Sequence, residues 1–301
     1  MKFVIDELNE DIRIDAYLAE IMQGFSRSKI QKLIKDGLIK VNNKTVKPSY
    51  QINENDEIVI EKADLISNCR IQPENISLNI VWEDDNMAVV NKPSGMLTHP
   101  TPQETTNTLV NALLFKYGNN LSNMNGDFRR GIVHRLDRNT SGLIMIAKNN
   151  KTHEFLANEM KEKRFTKKYL AVVKGIIEKD KFTIDSPIGR HLTQPHKQAV
   201  RPDGKESISI IEVLKRFKDA SLIEVTLVTG RTHQIRVHLS SIGHPIFNDT
   251  LYGFGKMKVK TDEQVLQAYK LEFTKPFSKE RIYLEIKPDE KFEKVIKYLE
   301  S

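Results

Sequence analysis

The chain has 301 residues, with 47 Lys and Arg against 40 Asp and Glu and a formal net charge of +7 at pH 7. Its 39% hydrophobic and 29% charged residues exclude a disordered chain and a membrane-embedded one, and no apolar run approaches the roughly 18 residues of a membrane span. The single cysteine, Cys69, excludes a disulfide framework and thiolate-rich zinc sites, and MKFVIDELNE lacks the apolar core of a signal peptide, so the cytoplasm is the expected location.

In chain order, residues 1–60 read as a small domain. Ile14, Tyr17, Leu18, Ile21 and Met22 recur at helical spacing, and Gly24 ends that helix. Ser26 is placed to cap a second helix with Ile30, Leu33 and Ile34 on one face and Gly37 just past its end. LIKVNNKTVKPSY predicts two short strands about Asn42-Asn43, and Asn53 to Asp56 predict a turn before the strand EIVIE. From Ser26 to Lys47 the basic residues are Arg27, Lys29, Lys32, Lys35, Lys40, Lys44 and Lys47, against the single acid Asp36. The whole span 1–60 is near neutral, so one edge carries the charge. That edge is either a phosphate-binding footprint or an ordinary solvated helix face.

Residues 61–77 read as a linker of mixed polarity, expected to tether the small domain loosely to a larger unit at 78–301. In the larger unit, strands near Ile80–Trp82 and Met87–Asn91 flank an acidic turn. GIVHRLDRNTSGLIMIAK crowds His134, Arg135, Asp137, Arg138, Asn139, Thr140 and Ser141 into a loop before a buried strand, LIMIA. Flanking arginines keep Asp137 ionised, as a nucleophile or general base requires, although a loop Asp that satisfies backbone amides looks the same in sequence. A hydrolytic triad of His134, Asp137 and Ser141 is disfavoured, because no Gly-x-Ser-x-Gly elbow presents the serine. A helix over about 152–163 leads into FTKKYLAVVKG, a strand with Tyr169, Ala171 and Val173 on one side. Tyr169 lies among basic residues, as a base-stacking aromatic or as a core tyrosine. LIEVTLVTGRTHQIRVHLSSIGHP predicts strand, turn at Gly230, then a helix burying Ile235, Leu239 and Ile242. Arg236 falls at the edge of that face, where a half-sheltered guanidinium can pair with a carboxylate. His233, His238 and His244 lack the i, i+4 spacing of helical metal pairs and are expected to be satisfied or exposed. No nucleotide-binding glycine loop is present.

SRSKIQKLIKDGLIKVNNKTVKPSYQINENDEIVI resembles the RNA-binding domain of ribosomal protein S4, over about residues 12–60. HRLDRNTSGL, NKPSGMLTHP, KKYLAVVKG and TGRTHQIRVHL, in their order behind that domain, resemble the successive motifs of the RluA-type pseudouridine synthases over about residues 12–290. The resemblance implies an α+β pseudouridine synthase fold, a mixed and mostly antiparallel sheet about a central cleft, and an enzyme that isomerises uridine to pseudouridine in RNA. It implies Asp137 as the catalytic aspartate, Tyr169 as the aromatic stacked on the target base, and Arg236 as the arginine paired with the aspartate. It places Leu271 against the base and Arg135 in the gap left by the flipped uridine, with His134, Thr140 and Arg231 also in the substrate-binding set. Arg27, Lys29, Lys32, Lys35, Lys40 and Lys44 would contact RNA from the small domain.

AYKLEFTKP departs from the family's usual His-Ala motif by carrying Gln267-Ala268. PIGRHLTQPHKQAVRPDGKES resembles the insert of the branch that modifies large-subunit (23S) ribosomal RNA. Ribosomal RNA is therefore the expected substrate, with tRNA and a non-catalytic RNA-binding or ribosome-assembly role as the alternatives. The reaction implies no cofactor and no metal. RNA is the partner, with ribosomal assembly intermediates behind it, and the chain is expected to act as a monomer. Whether the carboxylate removes the proton from ribose C2′ to give a glycal or attacks C1′ to give an ester stays open.

Overall fold

The computed structural model describes residues 2–5, 10, 12–22, 25–61, 71–101, 104–194, 196–253, 259, 261 and 263–301. Gly24, Cys69 and most of the expected linker, residues 62–70, lie outside the described residues. Among the described residues, no helix is long and apolar enough to cross a membrane.

The small N-terminal unit runs β1 (Lys2–Val4), α1 (Ile14–Ile21), α2 (Arg27–Lys35), β2 (Ile39–Val41), β3 (Lys44–Thr45) and β4 (Glu57–Ile60). Its strands form an antiparallel sheet in the order β1-β4-β2-β3. Ser26 caps α2 by accepting from the Lys29 amide at 3.3 Å. Asn42 and Asn43 both take positive φ, 49° and 61°, which gives the tight turn the sequence predicted between β2 and β3. Ile14, Leu18, Ile30, Ile34, Ile39 and Ile58 close a separate small core.

The large unit contains β5 (Asn79–Glu83), β6 (Met87–Lys92), α3 (Leu109–Tyr117), β7 (Ser141–Ala147), α4 (Asn150–Lys161), β8 (Thr166–Lys174), β9 (Lys181–Asp185), β10 (Ile188–Arg190), β11 (Gln198–Val200), β12 (Ile208–Arg216), β13 (Ala220–Leu227), α5 (Gln234–Ser241), β14 (Leu266–Thr274), β15 (Arg281–Glu285) and α6 (Glu290–Glu300). The large sheet has the order β5-β6-β7-β14-β8-β13-β12-β9, with β15 added on β14. Every pairing is antiparallel except β7 with β14, which is parallel. Expectation and structure agree on a mixed, mostly antiparallel α+β architecture. The β10–β11 hairpin stands apart as a two-stranded ribbon.

The parallel β7–β14 contact explains one glycine. Gly142 sits at φ +118°, and a Cβ there would lie 2.1 Å from the Ala268 carbonyl oxygen. Only glycine lets the two strands meet where the polar loop enters the sheet. Both faces of β7 are buried: Ile144 and Ile146 pack with Ala88, Val90 and Tyr169, while Leu143 and Met145 pack with Met87, Val89 and Leu271. An uninterrupted apolar run at LIMIA is the consequence of that double burial.

Two expectations need correction. Ile242 is not on the buried face of α5; it follows the last turn and is 39% exposed. Arg236 is not at a half-sheltered edge but buried at 8% exposure, because every side chain from Gln234 to Leu239 is covered. The last part of the expected linker is bonded to the large unit. The Asn111 side-chain amide donates to the Gln72 carbonyl at 2.8 Å, and the Glu74 amide donates to the Asn111 carbonyl at 3.0 Å. The small unit also touches the large one: Lys205 reaches Glu10 and Glu54, each at 2.8 Å, and Phe128 packs on the small core.

Candidate active site

The loop 134–140 is held from several directions by residues distant in sequence. The His134 ring is buried, and its Nε2 accepts from the Met145 amide at 3.0 Å. Burial holds that ring well below the ordinary histidine range, so it is neutral. Thr98 Oγ1 donates to the Leu136 carbonyl at 2.8 Å. Lys92, fully buried, donates to the carbonyls of Pro93, Met96 and Arg138 at 2.9, 2.8 and 3.0 Å. Ser94 donates to the Asn139 carbonyl at 2.8 Å. The Thr140 amide closes a turn onto the Asp137 carbonyl, and its hydroxyl accepts from Gln264 at 2.8 Å.

This scaffold presents Asp137 to Arg236, which reaches it from α5 across 99 residues of sequence. Arg236 Nη1 donates to Asp137 Oδ2 at 2.9 Å. The rest of the guanidinium is taken by Asp249, which accepts from Nε at 2.7 Å and Nη2 at 3.0 Å. Asp249 is fixed in turn by the amides of Leu251 and Tyr252. The Tyr252 ring lies 5.0 Å from the guanidinium carbon. One guanidinium thus binds two carboxylates edge by edge, with an aromatic face against it.

Burial pushes the Asp137 carboxyl up, but the neighbouring His233 ring, the guanidinium charges of Arg236 and Arg135 and the hydrogen bond from Arg236 outweigh it and hold the group below its ordinary value. Burial pulls Arg236 down, yet its bonds to Asp249 and Asp137 raise it above the ordinary guanidinium value. The pair is therefore fully charged at neutral pH. Asp137 keeps 22% of its side chain accessible, so the carboxylate is sheltered but reachable. Tyr169, on β8 opposite Ala268, is 5% exposed. Burial first, and then the Asp137 charge, push its phenol up, so it is neutral.

Asp137, Arg236, Tyr169 and Arg135 are thus gathered at one place. Other expected site residues are engaged elsewhere. His134 accepts from the Met145 amide through Nε2, and the Thr140 hydroxyl accepts from Gln264, so each ties the loop to its surroundings. Leu271 pairs with Lys167 and is packed into the core cluster of Met87, Val89 and Phe273, at 2% exposure. Arg231 lies at the approach to α5, where its Nε donates to the Glu206 carbonyl at 3.1 Å. In the small unit, Arg27 is bound to the buried Asp15 at 3.0 Å, Lys40 pairs with Glu61 at 2.5 Å, and Lys29 lies over the Phe25 ring. Lys32, Lys35 and Lys44 are exposed.

The family model for RNA pseudouridylate synthase matches residues 86–241, a span that contains the loop, β8 and α5 with their aspartate, tyrosine and arginine. The chain belongs to the RNA pseudouridylate synthase family. It is an RNA-modifying isomerase, and a second match, to the S4 domain, covers residues 12–58 of its N-terminal unit. An uncharacterized RNA pseudouridine synthase of Aquifex aeolicus is 42% identical over 302 residues, 97% of this chain and 95% of that one. The ribosomal large subunit pseudouridine synthase D of Neisseria meningitidis is 37% identical, over 91% of this chain and 75% of its own. The solved human RNA pseudouridylate synthase domain containing 1 has the same fold, with a TM-score of 0.58 at 24% identity over 76% of this chain and 96% of that one.

Four residues of this synthase's site were not singled out for it in sequence: Lys92, His233, Asp249 and Tyr252. His233 was weighed only as a metal ligand. Its ring accepts from or donates to Tyr252 Oη at 2.8 Å, and its Nε2 lies 3.9 Å from Asp137 Oδ2. Asp249 and Tyr252 sit in IFNDTLYG just past the helix that carries Arg236. A polar turn ending an apolar pair was their only signal. Among the described residues, no group of three or more His, Cys, Asp or Glu is arranged to hold a metal ion.

Proposed function

We propose that this enzyme isomerises uridines of large-subunit (23S) ribosomal RNA, with Asp137 as the reacting carboxylate on a flipped-out base. The observation that carries the reading is the 2.9 Å contact between Asp137 and Arg236 beside Tyr169: an ionised, sheltered and aimed carboxylate next to an aromatic. Breaking an N–C glycosidic bond and remaking it at C5 of the same base needs little else. The base must leave its stack, at a cost of a few kcal/mol. Stacking on Tyr169 offsets roughly 1–3 kcal/mol of that. The Asp137 carboxylate then starts glycosidic cleavage, by taking the C2′ proton or by adding at C1′, while Arg236 holds its charge and direction. Arg135 occupies the space the uridine leaves.

Residues 1–60 act as the RNA-gripping unit, 61–77 as the connection and 78–301 as the catalytic unit. Lys32, Lys35 and Lys44 give affinity and position rather than base identity. The ribosomal substrate is supported by the names of relatives such as the Neisseria meningitidis enzyme and by the β10–β11 insert. The test incubates the protein with unmodified 23S ribosomal RNA and, separately, with unmodified tRNA, mapping pseudouridine by carbodiimide adducts and reverse-transcription stops. Stops in 23S RNA that vanish with Asp137→Ala are expected. Stops confined to tRNA would overturn the substrate, and stops that survive the substitution would overturn the role of Asp137.

A further inference from the structure

The insert hairpin reaches the catalytic carboxylate through two side chains. The Gln198 amide, on β11, donates to Tyr252 Oη at 2.8 Å. That oxygen is also 2.8 Å from His233 Nδ1. A phenol has one proton, and with the Gln198 backbone amide donating to the oxygen, the arrangement that gives that proton an acceptor sends it to Nδ1. The neutral imidazole then carries its own proton on Nε2, the nitrogen 3.9 Å from Asp137 Oδ2. The ring cannot drift from this arrangement easily. His233 is held in the left-handed region at φ 55°, ψ 15°, at the start of α5, and meets Tyr252 edge-on at a 5.5 Å centroid separation. A non-glycine residue in this conformation beside a reacting group is the kind of local strain that tertiary structure must hold in place.

We infer that Tyr252 and His233 are positioning residues through which the β10–β11 hairpin sets the tautomer of His233 and aims an N–H at Asp137. With the hairpin seated, the Nε2–H dipole favours the anionic carboxylate. With it displaced, the Tyr252 hydroxyl is released and the other tautomer turns a lone pair toward the same charge. RNA lying on the hairpin would thereby be coupled to the ionisation of Asp137. The charged groups acting on His233 are Asp137 and Arg135 from the loop, Arg236 from α5 and Asp249 from the segment after it; Asp137, Arg236 and Asp249 also act on Tyr252, while Lys92 from β6 and Tyr169 from β8 act on Asp137. Burial holds His233 below its ordinary value, so the neutral ring is the form present at neutral pH.

The inference rests on Asp137 being the reacting carboxylate, and its test has one arm that needs no reaction. In the full-length protein, ¹H–¹⁵N correlation of the imidazole should report the Nε2–H tautomer for His233. Tyr252→Phe, which keeps the ring against Arg236, and Gln198→Pro, which removes the amide donor and also fixes φ on β11, should each give a mixture of tautomers. In single-turnover assays on bound RNA, both variants should slow the reaction roughly 10-fold near neutral pH. Both should move the acid limb of the pH profile upward and leave RNA affinity within about twofold of wild type. His233→Gln, with an amide N–H near the same place, should retain more activity than His233→Ala. An Nδ1–H tautomer in the wild type, or variants whose acid limb stays in place, would overturn the relay. A wild-type protein that forms no pseudouridine would remove the reading beneath it, and the relay would fall with that reading.

Discussion

The Asp137 loop and the basic edge of the S4 domain sit in opposite physical regimes. Asp137 is gripped by Arg236, which Asp249 and Tyr252 grip in turn, all in a water-poor setting where each charge is matched. Lys32, Lys35 and Lys44 stand in solvent. Buried ionic chains fail when one member is removed, because the remaining charge is stranded. Exposed cations act by mass action with phosphates and lose effect gradually and in proportion to salt. Basic side chains are thus suited to fixed aiming in one unit and to graded, salt-dependent attraction in the other.

The sharpest way to break this contrast is at the aspartate itself. Asp137→Ala should lower the single-turnover rate by about 10³-fold or more while leaving RNA affinity near wild type. A variant within tenfold of wild type would remove the catalytic side of the comparison. Next comes Asp249→Ala, which never touches substrate in this arrangement but strands part of a buried guanidinium. A loss of about 3–5 kcal/mol in denaturant unfolding is expected, together with slower chemistry on bound RNA. Unchanged stability would show that Arg236 is satisfied by Asp137 alone.

The two units should also separate by pH. All eight histidines lie outside residues 1–60. In the catalytic unit, burial pulls His153 down to about 4 and holds His134 well below its ordinary value. The unfolded chain then binds protons that the folded unit refuses. The stability contribution of these two neutral rings is full above about pH 6.5 and is lost as pH falls toward 4, by about 3 kcal/mol for His153 alone. In the small unit, Asp15 is held far below the carboxylate range by Arg13, and also by Arg27 and Gln31, against the effect of its burial. Its contribution is present above about pH 3.9 and fades only below it. Unfolding followed by Trp82 fluorescence should weaken from pH 6.5 downward. Hydrogen exchange of α1 and α2 should show no histidine-linked loss over that interval. Parallel acid sensitivity in both units would contradict this account.

The smallest effects belong to the exposed edge. Lys32→Ala, Lys35→Ala and Lys44→Ala should each weaken RNA binding modestly and reduce the salt slope by about 0.7–0.9 per phosphate contact, with single-turnover chemistry on bound RNA unchanged. Arg27→Ala should differ from them. It removes a partner of the buried Asp15, so it should cost stability of the small unit before it costs affinity.

Much of this molecule was legible in order along the chain. Local chemistry placed the Ser26 cap, the Asn42-Asn43 turn, the doubly buried run at LIMIA and the polar loop before it. Those features depend on residues a few positions apart, and short-range sterics and hydrogen bonds decide them. The motif resemblance added Asp137, Tyr169 and Arg236 as a set. The roles of individual loop residues were less legible. His134 and Thr140 read as polar loop residues in sequence, and only the fold shows that His134 accepts from the Met145 amide on β7 and Thr140 from Gln264, because buried polar groups must find partners. The connection at 71–77 lacks periodicity, but Asn111, far along the chain, takes up its backbone groups.

By itself, then, the sequence determined where several elements begin and end, which edge of the small domain is basic, and which residues match the family's motifs. Tertiary structure alone decided how those residues are held. The second carboxylate on Arg236, the three carbonyls around Lys92, the glycine-permitted meeting of β7 with β14, and the path from Gln198 through Tyr252 and His233 to Asp137 all join residues from separate segments. Pairing of buried charges and hydrogen-bond donors depends on angstrom-scale distances across the sheet, and periodicity and composition carry no record of those distances.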